Sequence, residues 1–149
     1  GGSPDTIGNK PPVLKVDGEK SQVAKVGQAI TLTAWASDDG KPRPRAIPLA
    51  LARLQQGTPN AATGLRLSWF VYRGSGKVTF DPTQIEVWED FRENKNSPWS
   101  AGWRTPPVPA EGKWVNSVSF AEPGTYVVRC LAHDGGLMTS EDITFVVSR

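Results

Sequence analysis

The residues in this chain that could do chemistry are few. Asp38-Asp39-Gly40 and Asp134-Gly135-Gly136 each end a strand-like run, Thr33 to Asp38 and Arg129 to Asp134. Clustered carboxylates, joined by Asn9 and backbone oxygens, would suit a calcium ion, which takes six to eight oxygen ligands. No EF-hand spacing accompanies them, and Asp-Gly pairs also form ordinary turns, so both readings stand. Trp88, Trp99, Trp103 and Trp114 crowd one stretch of the chain. They could stack sugar rings on their faces, with Glu86, Glu89, Asp90, Arg92 and Asn94 to bond hydroxyls, or they could pack as core. Lys41, Arg43 and Arg45 alternate with Pro42 and Pro44. They offer an anion or partner contact, against the plainer reading of a stiff solvated loop.

Catalysis has little to draw on. His133 is the only imidazole and Cys130 the only thiol, so no Ser-His-Asp or Cys-His arrangement and no zinc set can be assembled. Glu86, Glu89, Asp90 and Glu93 could supply a glycosidase pair, but any acidic loop would look the same, and the expectation is that the protein is not an enzyme. His133 at a strand end reads as a surface residue. Gly74-Ser75-Gly76 reads as a hairpin turn, not a phosphate loop.

The bulk properties set the frame. The chain has 149 residues, a formal net charge of +2, six Trp, thirteen Pro and fifteen Gly. That is one domain's length, with a core large enough to fold without staples and many turns. The charge gives no mandate for nucleic acid or anionic membrane, and the small basic patch cannot dominate phosphate affinity. No run approaches the roughly 18 apolar residues of a membrane span. Residues 1–10 read as linker, and the Gly1-Gly2-Ser3 opening suggests a piece of a longer protein.

Alternation supplies the elements that must position these groups. Ile30, Leu32, Ala34 and Ala36 alternate with polar or exposed neighbours, as do Leu65, Leu67, Trp69 and Val71, then Tyr126, Val128, Cys130 and Ala132, then Ile143, Phe145 and Val147. This is the period of strands with one face on a core. Shorter strand-like pieces lie at Val13 to Val16, Gln22 to Val26, Lys77 to Phe80 and Trp114 to Phe120, and the third of these reads as a hairpin partner of the Leu65 run. The reading is all-β, an antiparallel sandwich of about seven strands. Between strands, 41–64 and 81–113 are long insertions. Pro48 and Gly57 could bracket helical turns in the first, and the second could begin as a short helix or continue as a strand. Phe70, Tyr72, Val127 and Leu131 fall on a sheet face that would be polar if it met water, so the Trp-rich insertion is expected to fold across it.

The order Val26-Gly-Gln-Ala-Ile-Thr-Leu-Thr-Ala-Trp-Ala-Ser-Asp-Asp-Gly40, Leu67-Ser-Trp69, Val78-Thr-Phe80, Phe120-Ala-Glu-Pro-Gly-Thr-Tyr-Val-Val-Arg129 and Ala132-His-Asp-Gly135 resembles bacterial immunoglobulin-like domains of the polycystic-kidney-disease (PKD) repeat type. The resemblance implies one domain over 11–149, with Trp69 as a core Trp and Tyr126 as a tyrosine corner. Cys130 falls near a position where antibody-type domains carry a disulfide cysteine, but the facing strand offers only Ala34. It also implies a non-catalytic structural or protein-interaction module of a larger secreted, periplasmic or envelope protein, with neighbouring domains or another protein as partner. The alternative is a carbohydrate-binding module with a polysaccharide partner, using the Trp-rich insertion. In such a topology the loops after the second and sixth strands share a pole, so Asp38, Asp39 and Asp134 are expected to approach one another, with Asn9 nearby. No other cofactor is expected.

Overall fold

The computed structural model describes residues 8–39, 64–84 and 107–149. Lys41, Arg43, Arg45, Trp88, Trp99 and Trp103, and the helical reading of the first insertion, lie outside these residues; the second insertion does not open as a helix, since Asp81 ends a strand and Pro82, Thr83 and Gln84 follow it without helical structure.

Eight strands are present: β1 Val13–Val16, β2 Ser21–Lys25, β3 Ile30–Ser37, β4 Arg66–Arg73, β5 Val78–Asp81, β6 Lys113–Phe120, β7 Gly124–His133 and β8 Met138–Ser148. A 3-10 turn at Ala110–Gly112 leads into β6. They form two four-stranded sheets, ordered β1-β3-β6-β5 and β2-β8-β7-β4. In immunoglobulin terms these are strands A, B, E, D and strands A′, G, F, C, the constant-type arrangement with its first strand divided between the sheets. The chain is an immunoglobulin-like β-sandwich.

Two details change at this level, the wholly antiparallel pairing and the hairpin. The two expected N-terminal pieces are β1 and β2, and the Asp17-Gly18 turn, with Gly18 at φ +88°, passes the chain from one sheet to the other. β2 then pairs with β8 in parallel, Val23 opposite Val146, so that sheet is mixed. Nor are β4 and β5 a hairpin: they lie in different sheets, and Gly74-Ser75-Gly76 crosses between them. Alternation specifies a strand's buried face but not its neighbour, so two runs joined by a short Gly turn look the same either way.

The core forms where the predicted faces meet. Leu32, Ala34, Trp69, Val118, Phe120, Tyr126, Val128, Cys130, Ile143, Phe145 and Val147 are buried together. The Phe120 ring lies 4.7 Å from Tyr126 and 5.2 Å from Phe145, both tilted, within the centroid separations at which aromatic pairs attract. Tyr126 closes the corner between β6 and β7, its Oη donating to the Glu122 carbonyl at 2.8 Å. Its ring and hydroxyl occupy the space a Cβ would need at Gly74 and Gly76. The crossover is therefore glycine for steric reasons, and at Gly74 also because φ is +133°.

Cys130 is fully buried beside Trp69, its register partner on β4, and burial pushes its thiol well up. In domains with the disulfide, the corner Tyr precedes the cysteine by two residues. Tyr126 therefore aligns that position with Val128, and Cys130 is a small apolar core group.

Of the outward residues of the second sheet, Leu131 and Ser68 are buried, Phe70 and Val127 half-buried, and Tyr72 exposed. The Arg129 guanidinium stacks 3.6 Å from the Tyr72 ring centroid and grips Asp142 through Nε and Nη2 at 2.8 and 3.0 Å.

Candidate metal centre

β3 and β7 sit in opposite sheets but end at the same pole, and each delivers acid as it ends. Ligand oxygens of Asp38, Asp39 and Asp134 all lie within 4.8 Å of one another, as the shared pole led one to expect.

Asp134 is the best-held member. It is fully buried, and Oδ1 accepts the Gly136 and Leu137 N–H groups, both at 2.7 Å. Its backbone N–H donates to the Leu137 carbonyl at 3.1 Å, and its carbonyl accepts from Gly64 at 2.8 Å. The β7–β8 turn thus orients the carboxylate through one oxygen. Oδ2, also buried, has no hydrogen-bond partner among the described residues. A solvent-free carboxylate oxygen without a donor forgoes the bonds that normally offset its desolvation.

The segment before β1 closes the pole. The Lys10 N–H donates to Asp39 Oδ2 at 3.0 Å, and Thr139 Oγ1 donates to the Pro12 carbonyl at 2.6 Å. Asn9, next to Lys10, carries a buried amide oxygen that also lacks a partner among the described residues.

A cation already borders the cluster. Arg66, at the start of β4, is buried and interacts electrostatically with Asp134. Its Nη2 lies 3.3 Å from His133 Nδ1, which also accepts the Gly135 N–H at 2.8 Å. With two donors directed at Nδ1, the neutral imidazole carries its proton on Nε2. Burial, and then the Arg66 charge, lower the His133 pKa, against a smaller raising effect of Asp134. His133 is therefore a half-buried positioning residue and not the surface group its place at a strand end suggests. Its signal in the sequence was weak, because Arg66, which it meets from another strand, lies 67 positions away. Among the described residues, three carboxylates thus gather beside one guanidinium and one imidazole. Carboxylate and amide oxygens without thiol or imidazole donors are a hard-cation set, and three carboxylates suit Ca²⁺, with its six to eight oxygens in flexible geometry, better than Mg²⁺, which keeps several waters.

Trp114 stands in register with Ala34, on the core-facing side of its sheet and half-buried.

No protein-family model matches the chain, and no curated protein does. Among solved structures, it resembles a conjugative transposon lipoprotein from Bacteroides eggerthii at 11% identity, covering 91% of this chain and 96% of that one with a TM-score of 0.48. It also resembles fibronectin(III)-like modules of Clostridium thermocellum CbhA at 16% identity, covering 93% of this chain and 47% of that one, TM-score 0.41. A third is the Yersinia pseudotuberculosis adhesin InvE at 16% identity, covering 91% and 32%, TM-score 0.44. The chain thus spans less than half of the latter two. The immunoglobulin-like assignment rests on the strand order above.

Proposed function

We propose that this chain is a non-catalytic immunoglobulin-like module of a bacterial secreted or envelope protein, braced by a calcium ion held between Asp38, Asp39 and Asp134. It serves as a structural or protein-contact unit beside neighbouring domains. The observation that carries the ion is the buried Asp134 Oδ2, without a hydrogen-bond partner among the described residues and grouped with two further carboxylates. The Asn9 amide oxygen, backbone carbonyls and water would complete the shell. Extracellular calcium modules work at roughly 10⁻⁴ to 10⁻³ M, which suits the compartment that the PKD-type resemblance implies.

The non-catalytic reading is supported by the two nucleophile and base candidates. Cys130 is sealed in the core, and His133 Nδ1 is engaged by the Gly135 N–H. The polysaccharide alternative would rest on Trp88, Trp99 and Trp103, since Trp114 faces the core. Calorimetric titration of calcium into chelator-treated protein tests the ion. Saturable binding of one ion per chain, abolished in Asp134→Asn, is expected, and absence of heat at millimolar calcium would remove it.

A further inference from the structure

The outer face of the β1-β3-β6-β5 sheet carries a cluster that the core and the ion site leave aside. Ala34 and Ala36 of β3 are buried, so the residues that alternate with them, Thr33, Trp35 and Ser37, point outward. Trp35 stands opposite Lys15 of β1 and Lys113 of β6, which places a lysine on each side of the indole in one row across three strands. Their ammonium groups lie 5.5 and 5.8 Å from the centre of the ring, within reach of its negative face. Both lysines are exposed, and Trp35 is half-buried.

Apolar and hydroxyl groups surround that row. Val13 is opposite Ser37 and Val115 is opposite Thr33, so Val13, Trp35 and Val115 run diagonally across the sheet. The two valines are 69% and 56% exposed, although a sheet face that meets water is ordinarily polar. Cross-strand contact with lysine accounts for the indole but not for the valines beside it. β3 is bonded to a strand on either side, so its amides and carbonyls are engaged in two ladders and the face recognises a ligand through side chains.

We infer that this face binds an anionic polysaccharide: a sugar ring lies with its C–H face on Trp35, its neighbours rest on Val13 and Val115, and Lys15 and Lys113 hold carboxylates or sulfates at the ring edges. The hydroxyls of Thr33 and Ser37 meet those of the sugar. Charge selects this ligand among the occupants an apolar band could take. A second copy of the chain, related by a two-fold axis through Trp35, would set lysine against lysine. An extended acidic peptide would gain no backbone ladder on a face made of side chains. A nucleic acid draws its affinity from many phosphate contacts, and two lysines supply few. The inference does not depend on the calcium reading, and the platform is separate in sequence from Trp88, Trp99 and Trp103.

The test titrates the isotope-labelled chain, in chelator so that calcium bridges nothing, with galacturonate tetramer, sulfated maltotetraose and neutral maltotetraose. Saturable NMR shifts are expected at the Trp35 indole and at the Lys15, Trp35 and Lys113 amides with an acidic oligomer, weakening as salt rises, and none with the neutral one. The tighter of the two acidic oligomers tells carboxylate from sulfate. Lys15→Gln combined with Lys113→Gln, both at exposed positions, should weaken binding by about two- to thirtyfold, the span of two exposed ion pairs. Trp35→Ala should weaken it by about two- to tenfold, and Trp35→Phe, which keeps an aromatic face, should retain most of it. Equal binding by neutral maltotetraose, shifts confined to another face, unchanged affinity in the double lysine variant, or no shift at millimolar oligomer would each overturn the proposal. So would tighter binding of a thymidine tetranucleotide or of a capped peptide of alternating Glu and Ser, since the face would then belong to a nucleic acid or a protein.

Discussion

Asp134→Asn separates the ion's contribution from that of the fold. The replacement is nearly isosteric: its amide oxygen can keep the Gly136 and Leu137 N–H bonds that Oδ1 holds at 2.7 Å, so the turn should survive. Without calcium the substitution relieves like-charge contacts. At 4.8 Å and an effective dielectric near 20, each carboxylate pair costs roughly 3.5 kcal/mol. Against this, Arg66 loses an attraction of the same order, and the variant in chelator should be as stable as the parent or more so. With calcium the order reverses. For a dissociation constant of about 10⁻⁴ M, about 10 mM calcium stabilises the parent by roughly 2.7 kcal/mol. At about 2–4 °C per kcal/mol for a chain of this size, the melting temperature rises about 5–11 °C, while the variant stays near its chelator value. Differential scanning calorimetry with calcium and with chelator reads all four numbers. A parent whose melting temperature is unmoved by calcium, or a variant that responds as strongly as the parent, refutes the reasoning.

Tyr126→Phe removes the bond to the Glu122 carbonyl and should lower unfolding free energy by about 1 kcal/mol in urea titrations; Trp69→Ala, in the fully buried core, should cost about 3–5 kcal/mol. Cys130 should react with a thiol reagent only on unfolding, and Cys130→Ser, which buries a hydroxyl, should lose about 1–3 kcal/mol. The Asp142 carboxyl is held below its ordinary value of 3.8, first by the hydrogen bond from Arg129. A lowered native pKa contributes stability above the unfolded value that is lost as pH falls through the native one. The parent's advantage over Asp142→Asn should therefore be constant near neutrality and shrink below pH 3.8. With side chains 26% and 37% exposed, solvent screening keeps that advantage under about 1 kcal/mol.

The strands were legible because their buried faces repeat every second residue. Leu32, Ala34 and Ala36 on β3, and Tyr126, Val128, Cys130 and Ala132 on β7, are buried as the alternation requires. The turn residues marked where strands end, and with the family resemblance they brought the three aspartates to one pole. That β4 and β5 belong to different sheets was not legible, nor that β1 and β2 do. Strand choice depends on contacts between positions far apart in the chain, and a local pattern carries no record of them.

The sequence alone thus determined which side chains are apolar, where the backbone must turn, and that carboxylates follow β3 and β7. Tertiary structure decided what those groups experience. It sealed Asp134 from water with one oxygen held and the other without a donor among the described residues, set Arg66 and His133 beside it, and brought the Gln84 side chain to the Trp69 amide. Burial and the grouping of charges arise only when segments distant in sequence meet, because desolvation and Coulomb energy depend on distance in space.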